Sequence, residues 1–305
     1  MKWQKLGNIF NPDNNYPWMA THAANPFAEE IKEGIYKIYF TCRDKQNVSH
    51  IAYLVIDIKD PFKILDLSDR PILSPGQLGL FDDSGVAMGY LIKINGKRYL
   101  YYLGWNLRVT VPWLNTIGLA IEEDEDSGVF IKQSLAPIMD RSNEDPFSIS
   151  YPGIYKQNGI YKMWYGSNLN WGSSMESMDH VIKTAWSLDG IKWERDNQIA
   201  IDLEHPGEYA LSKPFIIKQG DKYNMWYSYR GNGNTLTYRI GLATSNNCTD
   251  WKRNDHLAGI DVSSKGWDSE MIEYPFVFKY GDNTYMLYNG NGYGRTGFGL
   301  AVLRD

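Results

Sequence analysis

Apolar and polar residues alternate with a period of two along most of this chain, and Gly- or Asn-containing turns interrupt the alternation at regular intervals. One block recurs. It reads Glu33-Gly34-Ile35-Tyr36-Lys37-Ile38-Tyr39-Phe40, then Asn95-Gly96-Lys97-Arg98-Tyr99-Leu100-Tyr101-Tyr102, then Asn158-Gly159-Ile160-Tyr161-Lys162-Met163-Trp164-Tyr165. Gly220-Asp221-Lys222-Tyr223-Asn224-Met225-Trp226-Tyr227 and Gly281-Asp282-Asn283-Thr284-Tyr285-Met286-Leu287-Tyr288 continue it. Gly34, Gly96 and Gly159 are spaced by 62 and 63 residues, and Met163, Met225 and Met286 by 62 and 61. A fixed spacing of this kind marks an array of like supersecondary units.

Each repeat holds four short strands. A small-residue strand precedes the turn and contains Pro26, Gly89, Pro152, Pro214 or Pro275; the aromatic strand follows it. A third, apolar strand comes next, as in Ser49-His50-Ile51-Ala52, Ile117-Gly118-Leu119-Ala120 and Ile240-Gly241-Leu242-Ala243, and a more polar fourth, as in Lys192-Trp193-Glu194-Arg195. This pattern predicts an all-β five-bladed β-propeller with four antiparallel strands per blade, forming a single domain over residues 1–305. The fifth repeat reaches Asp305 without its fourth strand, and Lys2-Trp3-Gln4-Lys5 resembles the missing piece. The N-terminal strand is therefore expected to complete the last blade and remove two free sheet edges.

Composition narrows the function. Aromatic residues make up 14% of the 305, with 11 Trp and 22 Tyr, and the net charge is −5. No basic stripe points to nucleic acid, and no apolar run points to a membrane span or a secretory leader, so a cytoplasmic location is expected. Two cysteines, Cys42 and Cys248, make no disulfide framework. Neither zinc spacing, a G-x-S-x-G elbow nor a P-loop is present, so no metal or cofactor is expected. Gly292-Tyr293-Gly294-Arg295-Thr296-Gly297 matches G-x-G-x-x-G, but it lies between two strand patterns with no helix to follow, which favours hairpin glycines over a dinucleotide site. The oligomeric state is not legible.

The blade pattern resembles the five-bladed propeller glycosidase superfamily, glycoside hydrolase families 32, 43, 68 and 130, and within it glycosidase-like proteins of bacterial polysaccharide gene clusters. Asn25-Pro26, the run Tyr39-Phe40-Thr41-Cys42-Arg43-Asp44 and Ser49-His50-Ile51-Ala52 look like a first blade of family 130. The resemblance implies a glycoside hydrolase or phosphorylase with a carbohydrate substrate. The departures are specific. Families 32 and 43 place acids where this chain has Asn25, Tyr151 and Ser212, and family 130 has Glu-Asp-Pro where this chain has Ala87-Met88-Gly89. Any catalytic carboxylates must then be a relocated set, and the fold alone does not define the reaction.

Inner strands of a propeller face a common channel, so their polar side chains are the candidates. Counted back from the Pro or Gly of each, they are His22 and Asn25; Asp82, Asp83 and Ser84; Glu208, Tyr209, Ser212 and Lys213; and Asp268, Glu270 and Glu273. Glycoside cleavage takes one protonated carboxyl and one carboxylate. Glu270 and Asp83 are the expected catalytic pair, with Glu208 third, each with a capping or arginine-paired role as the alternative. Asp82, adjacent to Asp83 in an extended chain, is expected on the opposite face. Arg43, Arg230 and Arg295 end second strands or the loops after them and are expected to bind an anionic group of the ligand, or else to neutralise these acids. His22, Asn25 and Glu273 join them as substrate-binding candidates. Trp18 and Trp267 are the preferred stacking platforms, with Trp105, Trp113 and Trp171 also near the mouth, although aromatic residues equally serve packing between blades. The leading function is a glycoside-active enzyme on a short glycan that can carry charge. The alternatives are a non-catalytic carbohydrate-binding propeller and a sugar transferase or lyase.

Overall fold

The computed structural model describes residues 1–171, 178–231 and 236–304, and among them the chain is nearly all β. Strand β1 (Lys2–Phe10) opens the chain. A first antiparallel unit follows, made of β2 (Thr21–Lys32), β3 (Ile35–Arg43), β4 (Ser49–Asp57) and β5 (Asp60–Leu67). The second is β6 (Gly85–Ile94), β7 (Lys97–Leu107), β8 (Trp113–Glu122) and β9 (Phe130–Lys132). The third is β10 (Ile149–Gln157), β11 (Ile160–Asn168), β12 (His180–Ser187) and β13 (Glu194–Ile201). The fourth is β14 (Ala210–Gln219), β15 (Lys222–Arg230), β16 (Arg239–Ser245) and β17 (Lys252–Arg253).

The last unit has β18 (Glu273–Tyr280), β19 (Asn283–Asn289) and β20 (Phe298–Arg304), and β1 completes it by pairing with β20, Trp3 opposite Leu303. Single parallel bridges, Ser49 to Gly85 and His180 to Ala210, join the first unit to the second and the third to the fourth. Hydrogen bonding thus divides the strands into two eight-stranded sheets and one four-stranded sheet. The first strand of each unit packs against the next: β2 on β6, β6 on β10, β10 on β14, β14 on β18, and β18 on β2.

Packing between units is aromatic. Trp3, Trp193 and Trp251, at the start of fourth strands or just before them, each stand edge-on to a ring of the preceding unit: Trp226 at 5.5 Å, Tyr101 at 5.9 Å and Trp164 at 5.8 Å. The alternation seen in the sequence explains this, because every second residue of the aromatic strand faces a neighbouring unit.

Each inner strand is kinked near its Pro or Gly. The ladder slips between Ala24 and Phe27, Met88 and Tyr90, Ser150 and Gly153, Ser212 and Phe215, and Glu273 and Phe276. A bulge adds a residue on one strand and re-aims the side chains around it. Asn25, Lys213 and Tyr274, each just before its proline, sit in the left-handed region with φ of 54°, 53° and 55°, a costly conformation for a non-glycine residue. Neighbouring units hold the kinks in place. The amide N–H of Asn25 donates to Asn289 Oδ1 (3.0 Å), that of Met88 to Thr41 Oγ1 (2.8 Å) and that of Tyr274 to Ser228 Oγ (2.8 Å). At Gly153 the strands approach so closely that a Cβ would lie 2.1 Å from the Pro214 carbonyl oxygen.

A second device repeats beside the inner strands. In the second unit Asp82 accepts from Tyr102 Oη (3.2 Å) and pairs with Lys132 (2.6 Å). In the third, Asp145 accepts from Tyr165 Oη (2.8 Å) and pairs with Arg195 (3.1 Å). In the last, Asp268 accepts from Tyr288 Oη (3.0 Å) and pairs with Lys5 (2.6 Å). The fourth unit spreads the same clamp over two acids. Arg253 forms a fork to Glu208, 2.7 Å at each nitrogen, and also binds Asp255, which accepts from Tyr227 Oη. The tyrosine comes from the second strand and the cation from the fourth, so an acid before the inner strand ties the unit together.

Glu208 is thereby corrected as a catalytic candidate: both of its oxygens are occupied by a buried guanidinium. Arg253→Ala leaves that carboxylate buried without its cation and is expected to lower the unfolding free energy by about 3–5 kcal/mol, read from urea denaturation.

Candidate functional site

The five inner strands deliver side chains to one cavity of about 560 Å³, a size suited to a small organic ligand. Three register positions build it. Around the bulges come Ala24 and Asn25, Ala87, Ser150 and Tyr151, Ser212, and Tyr274. The ends of second strands give Arg43, Trp105, Asn168 and Arg230, each three residues past the buried ring of its aromatic strand, Phe40, Tyr102, Tyr165 or Tyr227. The starts of third strands give Ser49, Asn115, His180 and Tyr238, each two residues before a buried isoleucine.

Charge in and beneath the cavity is set by burial. Glu273 is 0% exposed, its Oε1 accepts from Asn289 Nδ2 (3.3 Å), and its Oε2 has no hydrogen-bond partner. Burial pushes its carboxyl up to about 8, against the pull of Asn289, Arg230 and Arg43, so it is protonated at neutral pH. Burial likewise holds Lys213 down to about 7; its ammonium reaches the Gly89 carbonyl and lies 5.7 Å from the centre of the Tyr151 ring.

His22 is lowered to about 4 by burial and by Arg43 and Arg295. His180 is lowered to about 4 by burial and, more weakly, by Arg230, while its bond to the Leu211 carbonyl opposes the shift. A carbonyl only accepts, so His180 carries its proton on Nδ1 toward Leu211 and its Nε2 accepts from Ser150 Oγ at 3.1 Å.

The sequence-derived candidates divide. His22, Asn25, Arg43, Asp83 and Arg230 line the cavity together. Asp83 accepts from the Gly79 amide (2.9 Å) and from Ser84 Oγ (3.0 Å), while Asp82 faces the other way into its clamp. Glu273 lies out of the lining, but next in sequence to Tyr274, which is part of it. Glu270 is displaced from the expected pair. It precedes β18, its amide is held by Asn291 Oδ1 (2.8 Å), its carbonyl accepts from Thr237, and its side chain is exposed away from the cavity. Arg295 is exposed on the turn after β19 and is not in the lining.

Both preferred stacking platforms serve packing. Trp267 lies against Tyr288 (5.2 Å) and over Gly290 and Gly299, and Trp18 stacks on Tyr16 (5.6 Å). Trp105 and Trp113 are the indoles that line the cavity; Trp105 donates to Ser49 Oγ (2.8 Å), and Trp113 stands edge-on to Trp171 (5.5 Å).

Sequence reasoning missed the starts of the third strands, His180 and Tyr238 above all. The signal was available as the residue two before each apolar third strand, but register counted from the inner strands does not reach it. The Gly-rich run from Gly292 to Gly297 forms a tight turn with φ of 65° at Gly292 and 60° at Tyr293, with no helix after it.

Folding takes up a proton at Glu273 between its unfolded value near 4.5 and its folded value of about 8, so this group's contribution to stability falls as pH rises through that window. Glu273→Gln removes the dependence. Its stability relative to the wild type should rise from pH 4.5 to 8, by on the order of 4 kcal/mol, in parallel denaturation series. The two histidines act in the opposite sense: their contribution is lost as pH falls from 6.5 through about 4.

No family model matches the chain. Over 305 residues, all of both chains, it is 46% identical to "Uncharacterized protein Rv1502" of Mycobacterium tuberculosis (strain ATCC 25618 / H37Rv). A 1,2-β-oligomannan phosphorylase of Thermoanaerobacter sp. (strain X514) is 25% identical over 214 residues, 69% of this chain and 65% of that one. Among solved structures, one described as a BT0996 RGII complex superposes with a TM-score of 0.77 at 17% identity, covering 99% of this chain and 91% of that one. One from work on the GH130 family of mannoside phosphorylases and hydrolases gives 0.71 at 15%, covering 99% and 93%. At these identities the superpositions speak for the fold. The chain belongs to the same family as Rv1502 of Mycobacterium tuberculosis, within the glycosidase-like superfamily that includes the GH130 mannoside phosphorylases.

Proposed function

We propose that this chain is a glycoside-active enzyme, a hydrolase or a phosphorylase, acting on a short glycan that can carry charge. Acid–base catalysis by carboxyl groups takes place at the mouth of the channel of one five-bladed β-propeller domain spanning residues 1–305. The observation that carries this reading is one carboxyl group on the cavity wall with a second, protonated one buried next to the lining. Asp83 stands on the wall, and Glu273, buried beside the lining residue Tyr274, holds its proton at neutral pH. Cleavage of a glycosidic bond uses one carboxyl in each protonation state. In this reading Glu273 is the proton source and Asp83 the carboxylate, while Asn25, Asn168 and His180 meet sugar hydroxyls and Trp105 and Trp113 meet the apolar faces of the rings. The packing of β18 on β2 and the pairing of β1 with β20 support a closed five-bladed ring.

The similarity to an oligomannan phosphorylase makes β-1,2-linked mannosides the first substrates to test, with and without inorganic phosphate. Turnover that needs phosphate identifies a phosphorylase, and turnover without it a hydrolase. Asp83→Asn and Glu273→Gln are each expected to lower kcat by about 100-fold or more.

A second reading has its own support. Among the described residues of the lining, Asp83 is the single carboxylate. Glycan binding that persists in both variants, with no turnover of any glycoside by the wild type, would establish a carbohydrate-binding propeller in place of the enzyme.

A further inference from the structure

Apart from Lys213, whose amine meets the Gly89 carbonyl, buried cations elsewhere in this chain are matched by acids. Lys5, Arg98, Lys132, Lys183, Arg195 and Arg253 each make an ion pair. The two arginines that line the cavity break this rule. Among the described residues, neither Arg43 nor Arg230 forms an ion pair. Arg43 donates to the Asn47 side-chain oxygen at 2.7 Å. Arg230 is 7% exposed, with one Nη donating to Tyr293 Oη (2.8 Å) and the rings of Tyr209 and Tyr238 at 4.8 and 4.7 Å. Its Nε is buried with no hydrogen-bond partner. A buried guanidinium edge without an acceptor is unfavourable unless a ligand supplies one.

The two guanidinium groups share one side of the cavity. They occupy the same register position in the first and fourth units, whose inner strands both pack against β18 of the last unit. The acid in that last strand, Glu273, is uncharged at neutral pH and does not offset them, and His22 and His180 are neutral there as well. Asp83 and the indoles Trp105 and Trp113 belong to the second unit and its preceding loop. The cavity is therefore polarised, with unmatched positive charge on one wall and aromatic surface with a carboxylate on another.

We propose that Arg43 and Arg230 form a subsite for the carboxylate of an acidic sugar, a uronate-type residue of the glycan. Rings cover the Arg230 guanidinium and Tyr293 takes one of its nitrogens, which leaves an edge for in-plane acceptors; a planar two-oxygen group matches that geometry. The acidic ring then lies over Tyr274, and the adjoining sugar extends toward Trp105 and Trp113. This deepens the glycan reading above and rests on it for the sugar, but not for catalysis.

The test is calorimetric titration of the full chain in phosphate-free buffer with D-mannuronate, D-glucuronate, D-mannose and inorganic phosphate. The uronates should bind at least about tenfold more tightly than mannose, and more weakly as salt is raised. Arg43→Gln, at a partly exposed position, and Arg230→Gln should each remove that preference; Arg43→Gln alone decides the matter if the second variant fails to fold.

Equal affinity for mannose and mannuronate, no uronate binding, or an unchanged preference in Arg43→Gln would overturn the proposal. Binding of phosphate without uronates would also overturn it, by making the anion a free one. Uronate binding without glycoside turnover would leave the subsite standing while removing the enzyme, and turnover of neutral glycans without uronate preference would do the reverse.

Discussion

Everything that makes a site in this molecule depends on one backbone irregularity, the bulge in the middle of each inner strand. A regular strand places successive side chains on opposite faces, so it cannot keep its ladder and also turn several neighbouring residues toward a shared centre. The slip beside Pro26, Gly89, Pro152, Pro214 and Pro275 resolves that conflict five times. Three of the kinks put a non-glycine residue at positive φ directly before a proline. Such strain persists only where the surroundings over-determine it. At Asn25 and Tyr274 the surroundings are the preceding unit, whose second-strand Asn289 or Ser228 accepts the freed amide.

The same geometry sorts the carboxylates into distinct fates. Acids that fall just before the inner strand but face the body of their own unit become clamps between a tyrosine and a cation, as at Asp82, Asp145 and Asp268, with Glu208 and Asp255 sharing the role in the fourth unit. Glu270, still in the loop, stays in solvent. Asp83, one residue from Asp82, faces the cavity because the two lie in a turn before β6 that sends their side chains to different partners. Glu273, at the bulge, is sealed against water, and the cost of burying its charge keeps it protonated. A single residue of displacement along the chain therefore separates a structural acid from a lining one.

The sequence resemblance to families 32 and 43 implies acids at the positions of Asn25, Tyr151 and Ser212, and all three of these residues line the cavity. A carboxyl two residues before an inner proline occurs in the last inner strand, as Glu273. It lies near Arg230 and Arg43, whose attraction is outweighed by burial.

The sequence by itself determined the repeat, the four strands of each unit, the pairing of the chain's two ends and the Pro or Gly at which each inner strand bends. These are local properties, written in period-two alternation and turn residues and reinforced by repetition. It also placed His22, Asn25, Arg43, Asp83 and Arg230 near one another, because register in a repeat converts directly into position around a centre. Only the tertiary structure decided which face each polar residue shows and what partner it meets. Glu208 and Arg253 are 45 residues apart in sequence, and no pattern in either segment announces their fork. Trp267 and Trp18 carry the same composition signal as Trp105 and Trp113, yet the first two pack against neighbouring rings while the others reach the cavity. His180 enters from a third strand through a parallel bridge to Ala210. Burial, pairing and protonation are properties of the space between units, and that space exists only once the units have packed.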